Sequence, residues 1–587
     1  MKAGTRNVVR GTHVRPAAAG DLVAGLRVLR SAGVIGGTRP DRLLRSLGRI
    51  RRYGFSAGGA LASAAVKTPD RIAVVDDEGS FTYRRLDEDA AALAAYLWNT
   101  GSREGTRIGV LMRNHRGYHL VSGAVARIGA DLVLLNTEAS AHQLADVVAE
   151  QGLTLLIADG EFLERLGEIK DAPPVLQAWT TPDHRPQGLA RTGGSGGDGD
   201  SPGPTGLAKA IELGCTGAPL PGRPRRGRLI FLTSGTTGTP KGAQRPEPKN
   251  WMPIAALLSR IPFREGERIL VAAPLFHGWG WANYQIGLSL GSTLVLQRRF
   301  RAENSLEAAR ENQAGAMVVV PTMLARMVAL PDTDRPDLPA LRILASSGSA
   351  LTTSLVRETR RRFGDVLHNF YGATEVAWAT IAQPHEMAAH PATAGRPPLG
   401  TTLLLLDEAG HRVPDGEVGR VFVGNSMVFE GYTRPGADKE RHGDLVCTGD
   451  LGHIGPEGLL FIDGRTDDMI VSGGENVYPR EVEDLLAGED GVAEVAVVGA
   501  DDPEFRKRLV AYIVRTDDGA GAALTQESVQ SLVRSHLACF CVPRDVVFLP
   551  CLPRNAMGKV VPRLLPPPQP QEAVPPVDAG APADESR

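Results

Sequence analysis

Hydrophobic and polar positions follow two distinct periods over most of the chain. Short apolar runs, typical of buried strands, alternate with stretches that have the 3.6-residue period of amphipathic helices. The runs that predict strands are 107–112, 132–135, 153–158, 229–233, 269–273, 293–296, 317–320 and 341–345. The helices predicted between them are 86–99, 141–151, 305–312 and 354–363. This alternation predicts an α/β fold whose large N-terminal domain has parallel, doubly wound sheets covered by helices on both faces.

The pattern changes near both ends of the chain. Beyond Thr401 the strands shorten and turns follow closely, which predicts a small β-barrel-like subdomain. A compact α+β unit then occupies about 479–549, and a Pro-, Ala- and acid-rich tail, expected to be disordered, ends the chain. The domains that we expect are a basic extension at 1–56, a large domain at 57–466 with a flexible insertion at about 185–227, a small mobile domain at 467–565, and a tail at 566–587.

The N-terminal extension is strongly basic. Over residues 1–60, Lys2 and eleven arginines oppose only Asp21 and Asp41. Leucines recur among these arginines at 22–30 and 42–51, so both segments can form amphipathic helices. Such helices suit the surface of an anionic membrane, where each basic residue adds about 1 kcal/mol. A helical arm packed on its own protein or on a partner, with its arginines in water, fits the pattern as well.

Composition narrows the class of protein. The 587 residues are 42% hydrophobic and 22% charged, and the formal net charge is −2, so no global field favours nucleic acid. No uncharged apolar run reaches the length of about 20 residues that spans a bilayer, and no secretory signal is evident. Five scattered cysteines fit a reducing cytosol. We expect a cytoplasmic protein, membrane-associated if the extension binds lipid; the sequence leaves a homodimer open.

One glycine-rich segment has the composition of a phosphate-binding loop. It follows the predicted strand at 229–233 and has the sequence Thr233-Ser-Gly-Thr-Thr-Gly-Thr-Pro-Lys-Gly242. Glycines let main-chain N–H groups approach phosphate oxygens, hydroxyls add donors, and the lysine adds a positive charge. It is not a Walker loop, because Pro240 stands where that motif needs glycine. The expected phosphate contacts are Thr233, Ser234, Gly235, Thr236, Thr237, Gly238 and Lys241.

Five further motifs follow downstream. They are Tyr371-Gly-Ala-Thr-Glu375, Thr448-Gly-Asp450, Gly464-Arg-Thr-Asp-Asp468, Ser472-Gly-Gly-Glu-Asn476 and Pro553-Arg-Asn-Ala-Met-Gly-Lys559. With the glycine-rich loop, this ordered set resembles the adenylate-forming (AMP-binding) enzymes, and most of all bacterial fatty-acyl-CoA synthetases, over about 57–565. The resemblance implies a small carboxylic acid as substrate, with ATP, Mg²⁺ and coenzyme A. It implies activation of the acid as an acyl-adenylate, followed by transfer to a thiol.

The resemblance also implies how the nucleotide is held. Glu375 would bind Mg²⁺, since carboxylate oxygens suit a hard cation, and Thr374 would contact the α-phosphate. Tyr371 would stack on adenine, and Asp450 with Arg465 would hold the ribose hydroxyls. The other nucleotide-binding residues that we expect are Gly348, Ser349, Asn369 and Gly372.

Two half-reactions imply a moving domain. In the first, Lys559 would bridge the substrate carboxylate and the α-phosphate, with His277 beside the carboxylate. The C-terminal domain would then rotate about the hinge residue Asp467, where a few residues can absorb the motion. The thioester-forming residues implied for the second state are Ser472, Gly473 and Gly474.

The acyl pocket is expected around 273–281. No Asp or Glu occurs over 271–290, so the ammonium of an amino acid would lack a buried partner, which argues against amino-acid substrates. The apolar residues expected at this pocket or in the adjoining core are Trp279, Trp281, Tyr284, Ile286 and Leu288. We predict a medium- or long-chain fatty acid–CoA ligase. An aryl- or short-chain acid CoA ligase, and a fatty-acyl-AMP ligase that loads a carrier protein, are the alternatives. Intact motifs oppose a non-catalytic scaffold.

Overall fold

A computed structural model provides the structure of the chain. It describes residues 19–34, 39–179, 205–215, 219–233, 241–334, 336–433, 439–466, 470–472, 475–477, 479–502, 506–555 and 558–568. Contacts divide the chain into two units. The first is Met1–Asp467 together with Asn555–Lys559, and the second is Asp468–Arg554 together with Val560–Arg587.

The described residues of the first unit form strands and helices in close alternation. The strands are β1 (Ile72–Asp76), β2 (Gly79–Thr82), β3 (Arg107–Leu111), β4 (Asp131–Leu134), β5 (Leu155–Ala158), β6 (Val175–Gln177), β7 (Leu229–Thr233), β8 (Lys241–Arg245), β9 (Arg268–Val271), β10 (Thr293–Leu296), β11 (Ala316–Val319), β12 (Ile343–Ser346), β13 (Leu367–Tyr371), β14 (Thr380–Ala382), β15 (Thr402–Leu406), β16 (Gly419–Gly424), β17 (Gly431–Tyr432), β18 (Arg441–His442), β19 (Leu445–Ile454) and β20 (Leu460–Arg465). The helices are α1 (Ala19–Ser31), α2 (Pro40–Tyr53), α3 (Ala57–Lys67), α4 (Tyr83–Asn99), α5 (Gly117–Ile128), α6 (Ala141–Gln151), α7 (Leu163–Gly167), α8 (Leu207–Gly214), α9 (Met252–Leu258), α10 (Gly278–Ser289), α11 (Ala302–Glu311), α12 (Pro321–Ala329), α13 (Thr353–Phe363) and α14 (Pro384–Ala389).

Two large sheets organise this unit. One has eight strands in the order β14-β13-β12-β11-β9-β10-β1-β2, and the other has seven in the order β17-β8-β7-β4-β3-β5-β6. Pairs in the middle of both sheets are parallel, whereas β1/β2, β13/β14 and β7/β8 are antiparallel. Strands such as β4, β11 and β12 are buried at every position, as expected for parallel strands covered on both faces. The predicted α/β class and each predicted strand and helix are confirmed, with ends displaced by a few residues.

The segment beyond Thr401 forms a third, antiparallel sheet. Its order is β15-β16-β19-β18, with β20 paired to β19, which is the expected small β subdomain. The second unit is a separate α+β body with β21 (Ile470–Ser472), β22 (Glu475–Val477), β23 (Val492–Asp502), β24 (Arg506–Arg515), β25 (Asp545–Phe548), α15 (Pro479–Leu486), α16 (Gly519–Ala523) and α17 (Gln526–His536). Its core is formed by the apolar faces of α15, α17 and the β23-β24-β25 sheet.

Part of the stretch expected as a flexible insertion is ordered. Helix α8 buries Leu207 and Ala210 against the core, and Arg225 forms an ion pair with Asp131 at 2.8 Å. Apolar burial and a charged anchor therefore fix the described portion of 205–227, which differs from our expectation. Residues 180–204 of the insertion lie outside the described part of the chain.

Both basic segments near the N-terminus form helices, α1 and α2, as predicted. None of the helices in the described part of the chain combines the length and hydrophobicity that crossing a bilayer requires. Of the predicted tail, residues 569–587 lie outside the described residues.

Candidate active site

The predicted phosphate loop connects two antiparallel strands. Thr233 at the end of β7 pairs with Lys241 at the start of β8, so both ends of the predicted loop lie side by side. The Nζ atom of Lys241 lies 5.8 Å from the ring centroid of Tyr432. The loop residues that we predicted at 234–238 lie outside the described residues, and their role stays a prediction.

Glu375 is held by groups from the neighbouring strands. The Tyr432 hydroxyl donates a hydrogen bond to Oε1 of Glu375, and the main-chain N–H of Phe429 donates to the Glu375 carbonyl at 2.8 Å. Burial, followed by this hydrogen bond, raises the pKa of Tyr432 above its usual range, so the hydroxyl stays a donor. Among the described residues, none donates a hydrogen bond to Oε2 of Glu375, so this oxygen can bind another ligand.

Arg245 fixes the turn that carries Thr374 and Glu375. Its Nε and Nη2 atoms donate to the Thr374 carbonyl at 3.1 and 2.9 Å. Burial lowers the pKa of Arg245 to about 10, while the charge of Glu375 acts in the opposite direction. The guanidinium therefore stays charged at neutral pH, next to the predicted magnesium ligand.

The predicted adenine and ribose residues come together across three strands. The Tyr371 hydroxyl donates to Oδ2 of Asp450 at 2.6 Å, and Oδ1 of Asp450 lies 3.3 Å from Nη1 of Arg465. Asp450 and Arg465 are direct partners in the β19/β20 pair, which explains why two distant motifs meet. Burial, and then the charge of Asp450, raise the pKa of Tyr371 well above its usual value.

Other predicted nucleotide residues lie nearby in the fold. Asn369 is two residues before Tyr371 on β13, and its Nδ2 donates to the Thr393 carbonyl at 3.4 Å. Gly348 and Ser349 follow the end of β12, the neighbour of β13. A Cβ atom on Gly372 would lie 2.5 Å from the Ala377 carbonyl oxygen, so glycine is required at this turn.

His277 presents an unsatisfied nitrogen next to a positive charge. It precedes α10 directly, and among the described residues its enclosed Nε2 atom has no hydrogen-bond partner. Burial, and then the charge of Lys559, lower the pKa of His277 to about 3. The imidazole is therefore neutral at physiological pH. A neutral ring with an unpaired nitrogen suits a position that awaits a substrate group.

The lysine loop belongs to the first unit by its contacts. The Lys559 main-chain N–H donates to Oδ1 of Asn555 at 3.0 Å, which closes the loop. Gly558 has φ of +75°, and a Cβ atom there would lie 2.4 Å from Oγ1 of Thr322. The loop thus passes close to the start of α12 within this unit.

The predicted hinge and thioester residues are only partly described. Asp467, Gly473 and Gly474 lie outside the described residues. The main chain of Ser472 ends β21 and pairs with Glu475 in a β21/β22 hairpin. Their roles stay predictions.

The large apolar residues of helix α10 belong to the core of the first unit. Tyr284 is fully buried, with its hydroxyl 2.9 Å from Oγ of Ser122, and belongs to the core. Trp279 lies one turn closer to His277, donates from Nε1 to the Val319 carbonyl at 2.9 Å, and packs 4.7 Å from the ring of Phe370. Because Phe370 directly precedes Tyr371, this aromatic pair adjoins the nucleotide residues.

Two positioning residues were missed by the sequence analysis. Arg245 could have been found, since strand alternation puts it on the same face of β8 as Lys241. Tyr432 had no local signal, because its position depends on the pairing of β17 with β8.

The donor set at Glu375 fits a magnesium ion. No cluster of three or more His, Cys, Asp or Glu side chains among the described residues could hold a metal by itself. Mg²⁺ commonly uses one or two carboxylates, with phosphate oxygens and waters completing its shell. A single carboxylate whose Oε2 atom accepts no hydrogen bond within the described part of the chain is consistent with that pattern.

A two-sheet α/β unit followed by a small α+β unit, with the predicted nucleotide residues Tyr371, Asp450 and Arg465 in contact, indicates a two-domain nucleotide-binding enzyme. The chain belongs to the AMP-binding enzyme family. The family model described as AMP-binding enzyme matches residues 61–433, and that of the AMP-binding enzyme C-terminal domain matches 481–559.

Individual relatives align over most of the chain. Indoleacetate–CoA ligase of Aromatoleum aromaticum is 31% identical, over 84% of this chain and 94% of that protein. 2-Succinylbenzoate–CoA ligase of Bacillus licheniformis is 29% identical, over 85% of this chain and 98% of that protein. Among solved structures, the amide bond synthetase McbA from Marinactinospora thermotolerans superposes with a TM-score of 0.73 at 27% identity, covering 86% of this chain and 98% of that one.

Proposed function

We propose that the protein is an AMP-forming ligase that joins an aromatic carboxylic acid to the thiol of coenzyme A. The acid's carboxylate attacks the α-phosphate of ATP, forming an acyl-adenylate and releasing pyrophosphate. The thiol then attacks the acyl carbon and AMP leaves. The observation that carries the proposal is the enclosed, unpartnered Nε2 of His277 beside the charge of Lys559.

His277 and Lys559 have different roles at the substrate carboxylate. His277 is neutral, so it can orient a carboxylate oxygen through a hydrogen bond from Nε2 without adding charge. Lys559 supplies the positive charge that offsets the negative charge building on the α-phosphate. Its own N–H to Asn555 bond keeps the loop closed while the side chain acts.

The remaining groups hold ATP. Asp450, oriented by Tyr371 and Arg465, accepts hydrogen bonds from the ribose hydroxyls. Glu375, oriented by Tyr432, holds Mg²⁺, which when bound offsets charge on the phosphate oxygens. Arg245 keeps the Thr374 turn in place, so Thr374 meets the α-phosphate.

An aromatic acid is a better supported substrate than the fatty acid that the sequence predicted. The two ligase relatives described above are named for acids that carry an aromatic ring. Trp279 and Phe370, whose ring centroids lie 4.7 Å apart, place two aromatic side chains next to the predicted nucleotide residues, which suits a pocket for an aromatic acid. The absence of acidic residues over 271–290 is consistent with an uncharged ring.

The test is acid-dependent release of pyrophosphate from ATP. The panel contains indole-3-acetate, benzoate, 2-succinylbenzoate, octanoate and palmitate, each with coenzyme A and Mg²⁺. We expect the highest kcat/KM with an aromatic acid, and AMP as the spent nucleotide. A preference for palmitate would refute the aromatic assignment, and ADP with orthophosphate would refute the adenylate.

The acyl acceptor is tested in a separate experiment, because the structural relative McbA is named an amide bond synthetase. Each active acid is therefore offered coenzyme A, a pantetheinylated carrier protein or a primary amine. We expect the thioester of coenzyme A to form fastest. Faster amide formation, or transfer only to the carrier protein, would overturn the choice of acceptor while leaving the adenylation intact.

A further inference from the structure

Exposed apolar side chains concentrate on the first two helices of the described chain. Among its large hydrophobic residues, most of those that are strongly exposed lie on α1 and α2. They are Leu22, Val23, Leu26, Leu43, Leu44 and Leu47, exposed by 43 to 70%. Single exposed leucines are ordinary, but six on two adjoining helices form a surface that needs an explanation.

Helix α2 packs on the protein through a side whose buried residues are Ser46 and Tyr53. Oγ of Ser46 lies 2.6 Å from Oγ of Ser63 on α3, and Arg42 donates from Nη1 to the Lys67 carbonyl at 3.1 Å. At 100° per residue, Leu43, Leu44, Leu47 and Arg51 fall within an arc of about 100° on the opposite side. All four are exposed. This arrangement is the inverse of an ordinary surface helix, whose apolar side faces the core.

Helix α1 has a similar outer side. Its inner side is anchored by buried Leu29, and its end by the Glu265 N–H, which donates to the Ala32 carbonyl at 2.7 Å. Its exposed arc of about 100° contains Leu22, Val23, Leu26 and Arg30. We call these two outer sides together the leucine–arginine face.

The end of α1 and the beginning of α2 are linked through two other residues of the first unit, Glu265 and Lys67. Glu265, which binds the end of α1, pairs with Lys67 at 3.0 Å. The Lys67 carbonyl in turn accepts the hydrogen bond from Arg42 in the first turn of α2. The end of α1 and the beginning of α2 are therefore fixed relative to each other by side-chain contacts.

We propose that the leucine–arginine face docks on an anionic lipid bilayer. Leucines on one side of a surface helix enter the boundary between headgroups and acyl chains, while arginines beside them bind lipid phosphates. Residues 1–60 have only two acidic residues against Lys2 and eleven arginines, so the surrounding charge complements anionic headgroups. This inference does not depend on the chemistry of the active site, so it is tested independently of the proposed function.

A second copy of the chain and the chain's own tail are both less suitable partners for the leucine–arginine face. In a two-fold dimer built on this face, arginines would oppose arginines of the second copy, which is unfavourable. The chain's own tail at 569–587 has Glu572, Asp578, Asp584 and Glu585, but its only branched apolar residues are two valines, too few to cover six large side chains. A lipid surface supplies both the negative charge and the apolar layer.

The test is sedimentation of the full chain with vesicles. Vesicles of phosphatidylcholine containing one third phosphatidylglycerol are compared with pure phosphatidylcholine, at low and high salt. We expect binding to the anionic vesicles only, weakened by salt because the attraction is screened. The pair Leu44→Ser with Leu47→Ser should weaken binding at least tenfold, and Arg30→Gln with Arg51→Gln should weaken it severalfold.

Matched controls lie elsewhere on the surface. Leu213→Ser removes an equally exposed leucine from α8, and Arg357→Gln removes an exposed arginine from α13. Both should bind like the wild type, and thermal unfolding should show that every variant is folded. Absence of binding, equal binding to pure phosphatidylcholine, or no effect of the leucine pair would refute the proposal.

Two further outcomes would assign the face to another occupant. If the leucine pair converts a dimer to a monomer in analytical ultracentrifugation, the face is a contact between copies of the chain. If vesicle binding is seen only after removal of residues 569–587, the acidic tail covers the face. Either result overturns lipid docking as the role of the intact chain.

Discussion

Single residues at the site are kept in one protonation state by burial. Tyr371 and Tyr432 have raised pKa values and donate to carboxylates, whereas His277 has a lowered pKa and stays neutral. The two tyrosines therefore have their hydrogen bonds already oriented, and none of the three side chains changes protonation near neutral pH. Catalysis by preorganised dipoles and charges depends on that condition.

Lys559→Ala tests the proposed role of this lysine in the adenylation step. We expect the rate of acyl-adenylate formation to fall by about 10²–10³-fold or more, because a charge on the developing anion is lost. Conversion of supplied acyl-adenylate to thioester should continue. Lys209→Ala on α8 is the control. Equal loss of both half-reactions would show that Lys559 supports the structure and not the first step.

Tyr432→Phe tests the orientation of Glu375. The change removes a hydrogen bond to a charged group, which is worth about 1.5–3 kcal/mol, or about 10- to 100-fold in kcat/KM for ATP. Raising the Mg²⁺ concentration should recover part of the loss if the carboxylate holds the ion. Tyr512→Phe, which loses a hydrogen bond to the Pro566 carbonyl, should have normal activity. An unaffected Mg²⁺ requirement would count against Glu375 as its ligand.

At the scale of elements, strand pairing brings distant motifs into contact. The β19/β20 register sets Asp450 opposite Arg465, and the β7/β8 hairpin sets Lys241 opposite Thr233. Both pairs involve antiparallel strands at the margins of larger sheets, where a change of register would move every side chain to the other face. The site therefore depends on pairing geometry as much as on the residues themselves.

Gly558→Ala tests the lysine loop as an element. A Cβ atom there meets Thr322 at 2.4 Å, and the positive φ adds backbone strain. We expect acyl-adenylate formation to fall, with little effect on the thioester step. Gly519→Ala in α16, with open space around it, is the control. Adding Thr322→Ala should restore part of the activity by removing the clash, and normal activity of Gly558→Ala alone would show that the close passage is not needed.

At the scale of the whole molecule, buried histidines link stability to pH. Burial lowers the pKa of His119 to about 3, and both of its ring nitrogens lack partners among the described residues. The pKa of an unfolded histidine is about 6.5. As the pH falls below that value, the unfolded chain gains a proton that the folded chain does not, so the folded state loses stability.

His119→Phe should remove that loss. We compare the free energy of unfolding of the variant with that of the wild type at each pH. The variant's advantage should be about 2 kcal/mol larger at pH 5 than at pH 8. The ring keeps its edge-to-face contact with Tyr284, whose centroid is 5.1 Å away, so packing is largely retained. Urea unfolding at the two pH values measures the difference. An equal difference between variant and wild type at the two pH values would show that His119 titrates normally in the folded chain.

The sequence by itself determined the fold class, the family and the residue types of the site. Buried parallel strands have no solvated face, so they appear as continuous apolar runs such as 132–135 and 317–320. The motifs around Glu375, Asp450 and Lys559 are contiguous, so their local chemistry is visible without a structure. The sequence did not determine the acid, because a fatty chain and an aromatic ring both require apolar walls.

Only the tertiary structure decided which of these groups act together. Arg245 and Tyr432 hold the turn of Glu375 through strand pairings that no local pattern specifies. The order of α8 within the expected insertion, and the outward leucines of α2, also depend on which surface each helix meets. A hydrophobic pattern fixes how wide an apolar side is, but packing against the rest of the chain fixes the direction in which that side points.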